Sequence, residues 1–168
     1  YASNTGVQVR YRFADMFDGI SDIIKEADIA YINHETPVAG DSFGIRGYPD
    51  FNAPNEVGDD LAEVGFDIIN IANNHMLDMG EAGLRNSISY WEDKSEEKSL
   101  KIIGGYTKAD YDNVRYIEKD GVKIALLSYT TFINDKHKNS LSSNSELKIP
   151  YANEADMTRQ VGIAKEGG

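Results

Sequence analysis

An α/β fold with a parallel sheet and an antiparallel extension is the class that this sequence predicts. Three observations carry it. Short apolar runs recur at residues 28–33, 66–71 and 100–105, and helix-spaced segments separate them. The first two runs break directly into polar clusters, Asn33-His34-Glu35-Thr36-Pro37 and Asn73-Asn74-His75. That order sets both clusters at the carboxyl edge of a sheet, where open α/β sheets keep their chemistry. Finally, Asp120-Gly121 stands between the strand-like segments 114–119 and 122–129 and suits a two-residue hairpin turn.

Taken in order, residues 13–27 carry Phe13, Met16, Phe17, Ile20, Ile23, Ile24 and Ala27, a helical spacing that predicts one core-facing helix. The run 28–33 is the first strand. Residues 38–53, rich in Gly, Asp and aromatics, read as a long loop. Its composition suits a cover over the strand edge better than a packed connection. Residues 55–64, with Pro54 near the start, read as a short helix. Strand 66–71 and a helix over 81–94 follow, then a solvated connection at 95–99 and a third strand ending in Gly104-Gly105. After the hairpin, residues 135–145 read as a mobile polar loop, and 153–165 as a last helix. No repeat or linker interrupts the 168 residues, so a single domain is expected. An α/β sheet usually opens on a strand. Here a polar stretch and a helix come first, so the sequence reads as cut at both ends.

Composition narrows the functions. A hydrophobic content of 40% with ten tyrosines and six phenylalanines is that of a globular chain with a real core. No apolar run reaches the length of a membrane span, and the polar first ten residues are unlike a signal peptide. The absence of cysteine removes disulfides and thiolate metal sites. A net charge of -11 argues against nucleic acid as a partner and against passive attraction to an anionic membrane. An anionic substrate would need a bound divalent metal or a few placed cations to offset that field.

An Asn amide oxygen can ligate a metal, and His can ligate one or move a proton. If the first two strands are parallel neighbours, Glu35 and Asn74 can converge on one ion. The same Asn and His residues would equally serve to cap and turn the chain after each strand. Arg46, in the long loop near Tyr48, is the best-suited anion contact, because a guanidinium fork matches carboxylate or phosphate; it would otherwise face water.

Several motifs, in order and over nearly the whole chain, resemble the bacterial CapA family of poly-gamma-glutamate capsule biosynthesis proteins. They are Asn33-x-Glu35-Thr36-Pro37, Gly47-Tyr48-Pro49-x-Phe51-Asn52-Ala53-Pro54, Gly65-Phe66-Asp67, Ala72-Asn73-Asn74-His75-x-Leu77-Asp78-x-Gly80, and the run from Lys123 to Thr130. The family belongs to the calcineurin-like metallophosphatase superfamily. The resemblance implies a four-layer α/β/β/α sandwich, present in part, with a two-metal site at the strand ends. By that resemblance Glu35 and Asn74 are metal ligands, His75 contacts the scissile phosphate, and Asp78 orients His75. Arg46, Tyr48, Asn33 and Asn73 make the substrate-contact set. Mn, Fe or Zn would suit carboxylate, amide and imidazole ligands.

The departures are a missing first-strand Gly-Asp motif and missing late His motifs, so only part of the family's metal site is expected here. His34 is expected to have at most a supporting role, and His137 to be solvated. Two readings of function follow from the resemblance. In one, the protein is a metal-dependent hydrolase or transferase acting on a phosphorylated intermediate or on polyglutamate. In the other, it is a non-catalytic, polymer-binding component of a membrane capsule-synthesis complex. Both imply an extracytoplasmic location, attached to the cell surface through a segment outside this sequence.

Overall fold

The computed structural model describes residues 10–167. The polar opening stretch, apart from Arg10, and Gly168 lie outside the described residues. Three short strands, β1 (Tyr31–Asn33), β2 (Ile68–Asn70) and β3 (Lys101–Ile103), pair in parallel in the order β1-β2-β3. Their register sets Asn33 beside Asn70 and Asn70 beside Ile103. The central strand is buried at every position, as expected of a strand covered on both faces. Each strand is shorter than its apolar run. Residues 28–30, for example, are held by Ala30 and Asp67, whose backbone and side-chain bonds span the gap before the ladder starts.

Two helices connect the strands. α1 (Ser21–Glu26) precedes β1, α2 (Glu56–Val64) lies between β1 and β2, and α3 (Gly80–Lys98) between β2 and β3. α3 turns Leu84, Ile88 and Trp91 inward on one face, where they meet Ile69, Leu77 and Ile102 in the core. Trp91 and Ile69 are fully buried. α3 runs through 95–98, where the sequence suggested a connection. Glu and Lys are good helix formers, and Lys94 bonds Asp59 on α2 at 3.1 Å and Glu97 at 2.7 Å. Ser99, in a left-handed conformation, ends the helix.

The single helix expected over 13–27 is not formed. A 3-10 turn (Ala14–Phe17) and α1 replace it, broken at Asp18-Gly19-Ile20, where glycine disfavours continuous helix. The break also divides the apolar stripe. Phe13, Phe17 and Ile24 pack on the core, whereas Met16 and Ile23 are exposed.

The hairpin forms as its turn demands. β5 (Arg115–Lys119) and β6 (Val122–Leu126) pair antiparallel across Asp120 (φ 51°) and Gly121 (φ 78°). Both turn residues have the positive φ that this turn type requires. The Arg115 guanidinium binds the Ile102 carbonyl and fastens the hairpin to β3. A second small ladder, β4 (Tyr106–Thr107) with β7 (Leu147–Lys148), has no periodic signature in the sequence. α4 (Glu154–Glu166) is capped by Asn153, whose side chain accepts from the Asp156 N–H at 2.9 Å. The whole is a mixed α/β fold with a helix-flanked parallel sheet, as part of a calcineurin-like fold would have.

Candidate functional site

Both polar clusters leave the same end of the sheet, since β1 and β2 are parallel and in register at Asn33 and Asn70. Their exits are sewn together. The His34 N–H donates to the Asn70 carbonyl at 2.8 Å, and Asn73 donates from its side chain to the His34 carbonyl at 3.1 Å. The Asn73 side-chain oxygen accepts the His75 N–H at 2.8 Å, a local turn that aims the next two side chains. Asn70 is a buried amide. It donates to the Asn33 side-chain oxygen at 2.9 Å and accepts from Ala72 N and the Ser128 hydroxyl. Asn33 and Asn73 therefore spend these groups holding the edge together.

His75 is 8% exposed, and its ring lies between two carboxylates. Nδ1 is 2.7 Å from Asp78 Oδ2, and Nε2 is 3.6 Å from Glu35 Oε1. Asn134 Nδ2 also approaches His75 Nδ1, at 3.2 Å. Asn134 Nδ2 is a donor and would need Nδ1 as an acceptor, whereas Asp78 needs Nδ1–H, and the shorter, charge-assisted contact decides that Nδ1–H donates to Asp78. Nε2 is thereby left facing Glu35 and the open edge. Asp78 is fixed in turn by the Phe51 N–H at 2.8 Å, and Phe51 packs on the imidazole with ring centroids 4.6 Å apart.

Residues 38–54 therefore lie over the site edge, through Phe51. Arg46 and Tyr48 make no direct bond to the His75–Asp78 pair among the described residues, and Tyr48 reaches it only through Phe51, with ring centroids 6.4 Å apart. The Arg46 side chain braces its own loop on the Phe43 carbonyl at 3.0 Å, and its backbone pairs with Asn52. Tyr48 is 87% exposed. The aromatic composition marked the loop, but which aromatic faces inward depends on the loop's fold.

The segment read as a mobile loop is anchored here. His137, expected to be solvated, binds Asp50 through Nε2 at 2.7 Å, and Lys136 binds the other oxygen of that carboxylate. The hydrogen bonds from His137 and Lys136 hold the Asp50 carboxyl below its usual range. Asn134 was not singled out by its sequence context. Its side-chain oxygen accepts from Asn74 Nδ2 at 2.8 Å, and its N–H donates to the Asn74 carbonyl at 3.1 Å. The signal that could have marked it is weak: an Asn shortly after a strand. His34 packs edge-on to Trp91, with ring centroids 5.2 Å apart, and contacts the Thr36 hydroxyl at 3.2 Å. Burial pushes its imidazole down to about 4, so it is neutral near pH 7.

Two sets of donors can hold a divalent ion. Glu35 offers a carboxylate whose side chain is 55% exposed. Asn74 offers an amide oxygen that accepts no hydrogen bond among the described residues, its Nδ2 being committed to Asn134. These hard oxygen donors fit the ions that the resemblance implies, as two ligands of a larger set. The second set is Asp50, Asp78 and His137, whose ligand atoms all lie within 4.8 Å of one another.

Fold and site thus define an α/β protein with a His–Asp pair and oxygen donors gathered at the carboxyl edge of its parallel sheet. The chain belongs to the family of bacterial capsule synthesis proteins (PGA_cap), which it matches over residues 1–166. It is 28% identical over 157 residues to the capsule biosynthesis protein CapA of Bacillus anthracis, covering 87% of this chain and 37% of that protein. It is 31% identical over 104 residues to the PGA biosynthesis protein CapA of Bacillus subtilis, covering 56% of this chain and 26% of that one. The chain thus spans well under half the length of these relatives.

Proposed function

We propose that this protein acts in capsule poly-gamma-glutamate biosynthesis as a metal-dependent hydrolase or transferase on a phosphorylated or polyglutamate substrate. The observation that carries the reading is His75, buried and tautomer-fixed by Asp78 at 2.7 Å, with Nε2 turned to Glu35 at 3.6 Å. A structural histidine is usually satisfied at both nitrogens by packing partners. This one keeps one nitrogen toward an exposed carboxylate at a strand edge.

Glu35 and Asn74 would hold Mn, Fe or Zn as two ligands of a larger set. When bound, two such ions supply an activated water and neutralise developing charge on the substrate oxygens. The chain's own contribution is positional and protonic. Asp78 accepts Nδ1–H, which presents Nε2 to the substrate and stabilises the imidazolium. Protonated Nε2 donates to the leaving oxygen. Asn134 holds the Asn74 amide nitrogen, which leaves the amide oxygen for the ion. Phe51 covers the imidazole and limits water around it. The net charge of -11 opposes a polyanionic substrate, which makes bridging by bound cations the reasonable mode of recognition. Family membership supports an extracytoplasmic site of action beside membrane capsule-synthesis subunits.

The test is hydrolysis of an aryl phosphate and of poly-gamma-glutamate by the whole protein, with Mn2+ or with a chelator. Turnover that needs Mn2+ and is lost in both Glu35→Ala and His75→Ala is expected. Polymer binding without turnover, unchanged in His75→Ala, would instead identify a non-catalytic polymer-binding subunit.

A further inference from the structure

We propose that Asp50, Asp78 and His137 form a divalent-cation site of their own, which fastens the loop 38–54 and the segment 131–146 onto the His75–Asp78 pair. One ligand atom from each residue lies within 4.8 Å of the other two. Two carboxylates and an imidazole form a donor set suited to Zn, Mn or Fe(II). The three come from separate stretches of chain, so an ion here would cross-link the cover to the strand edge.

A second observation points the same way. The Asp78 side chain is fully buried, and Oδ2 already accepts two bonds, from His75 Nδ1–H and Phe51 N–H. Oδ1 is buried and has no hydrogen-bond partner among the described residues. A buried carboxylate oxygen without a donor is costly. The titratable groups around this carboxylate are His75, bonded through Oδ2, and Asp50 with its partners His137 and Lys136; among the described residues none of them bonds Oδ1. Asp50 and His137 already share a proton position, His137 Nε2 to Asp50 Oδ1 at 2.7 Å, and a metal ion can take that proton's place. Lys136 on the other Asp50 oxygen is the competing cation.

This site is distinct from the Glu35 and Asn74 donors. Asp78 meets the Nδ1 side of the His75 ring, and Glu35 the Nε2 side. It stands whether or not the protein is a hydrolase.

The experiment is calorimetric titration of Zn2+, and separately of Mn2+, into the purified protein and its variants, each checked for a native circular-dichroism spectrum. One equivalent is expected to persist in Glu35→Ala. It should weaken at least about tenfold in Asp50→Asn and in His137→Ala, and tighten in Lys136→Gln. The visible spectrum of bound Co2+ should lose its imidazole contribution in His137→Ala alone. If His137→Ala does not fold, the isosteric Asp50→Asn carries the test. Binding absent from Glu35→Ala overturns the proposal. So do several weak equivalents indifferent to Asp50 and His137, as an acidic surface would give. Loss of turnover in Glu35→Ala with this equivalent retained separates the two sites.

Discussion

Gly104 supports the candidate site from behind, and replacing it with alanine tests how closely β3 and the β2 exit are fitted. Gly104 has φ +94°, and a Cβ there would lie 2.3 Å from Ala72 N, 2.7 Å from Ala72 Cβ and 2.8 Å from Asn70 Oδ1. The first of these is backbone, so no rotamer change relieves it. The left-handed conformation costs a non-glycine residue about 1–2 kcal/mol. Overpacking a close contact adds about 1–3 kcal/mol. Gly104→Ala should therefore destabilise by about 2–5 kcal/mol, the sum of those two costs. Gly121→Ala is the control. Its φ is +78°, but nothing lies within 4 Å of the added Cβ, so only the conformational cost applies. Urea unfolding followed by tryptophan fluorescence reads both, since the one tryptophan, Trp91, is in the core. Gly104→Ala should lose about 1–3 kcal/mol more stability than Gly121→Ala, the overpacking cost alone. It should also weaken metal binding at the edge, because Ala72 leads into Asn74 and His75. Equal losses in the two variants would refute the steric fit.

Three further outcomes are expected. The depressed His34 pKa of about 4, against an ordinary 6.5, means that the unfolded chain takes up a proton before the folded one does. The stability present above pH 6.5 should thus fall as pH drops toward 4. The ceiling is about 3 kcal/mol, and about 1–2 kcal/mol is expected because water still reaches part of the ring. His34→Gln should flatten that part of the pH dependence of the urea midpoint, and an unchanged slope would refute it. Asn134→Ala removes the acceptor that holds the Asn74 amide nitrogen; Mn2+ affinity at the edge should fall about 10-fold to 100-fold, and Asn134→Asp, which restores the acceptor, should recover most of it. Trp91→Ala should cost about 3–5 kcal/mol in urea unfolding. Trp91→Phe should cost about 1.5 kcal/mol or less, since the indole N–H has no partner among the described residues to lose.

What the sequence determined by itself is local. Apolar runs that break into Asn, His and Glu placed both clusters after strands, and Asp120-Gly121 carried the hairpin because its turn needs positive φ at two successive residues. The sequence also located α2, α3 and α4 as helices. Helical periodicity failed at 13–27, where Gly19 weakens the helix and tertiary packing decides which apolar side chains find a partner. That Glu35, Asn74 and His75 stand at one sheet edge was legible because each lies within a few residues of a strand end, whereas Asp78 was marked only by the family resemblance.

The residues that complete the site were not legible, and the reason is sequence distance. Asn134 reaches Asn74 across 60 residues, and His137 reaches Asp50 across 87. Nothing local distinguishes such an Asn or His from a solvated one. The same holds for the loop 38–54, where composition favoured Arg46 and Tyr48 while the fold turned Phe51 and Asp50 inward. Only the tertiary structure decides that choice, because it depends on where the chain returns after β6 and which side chains that return path meets.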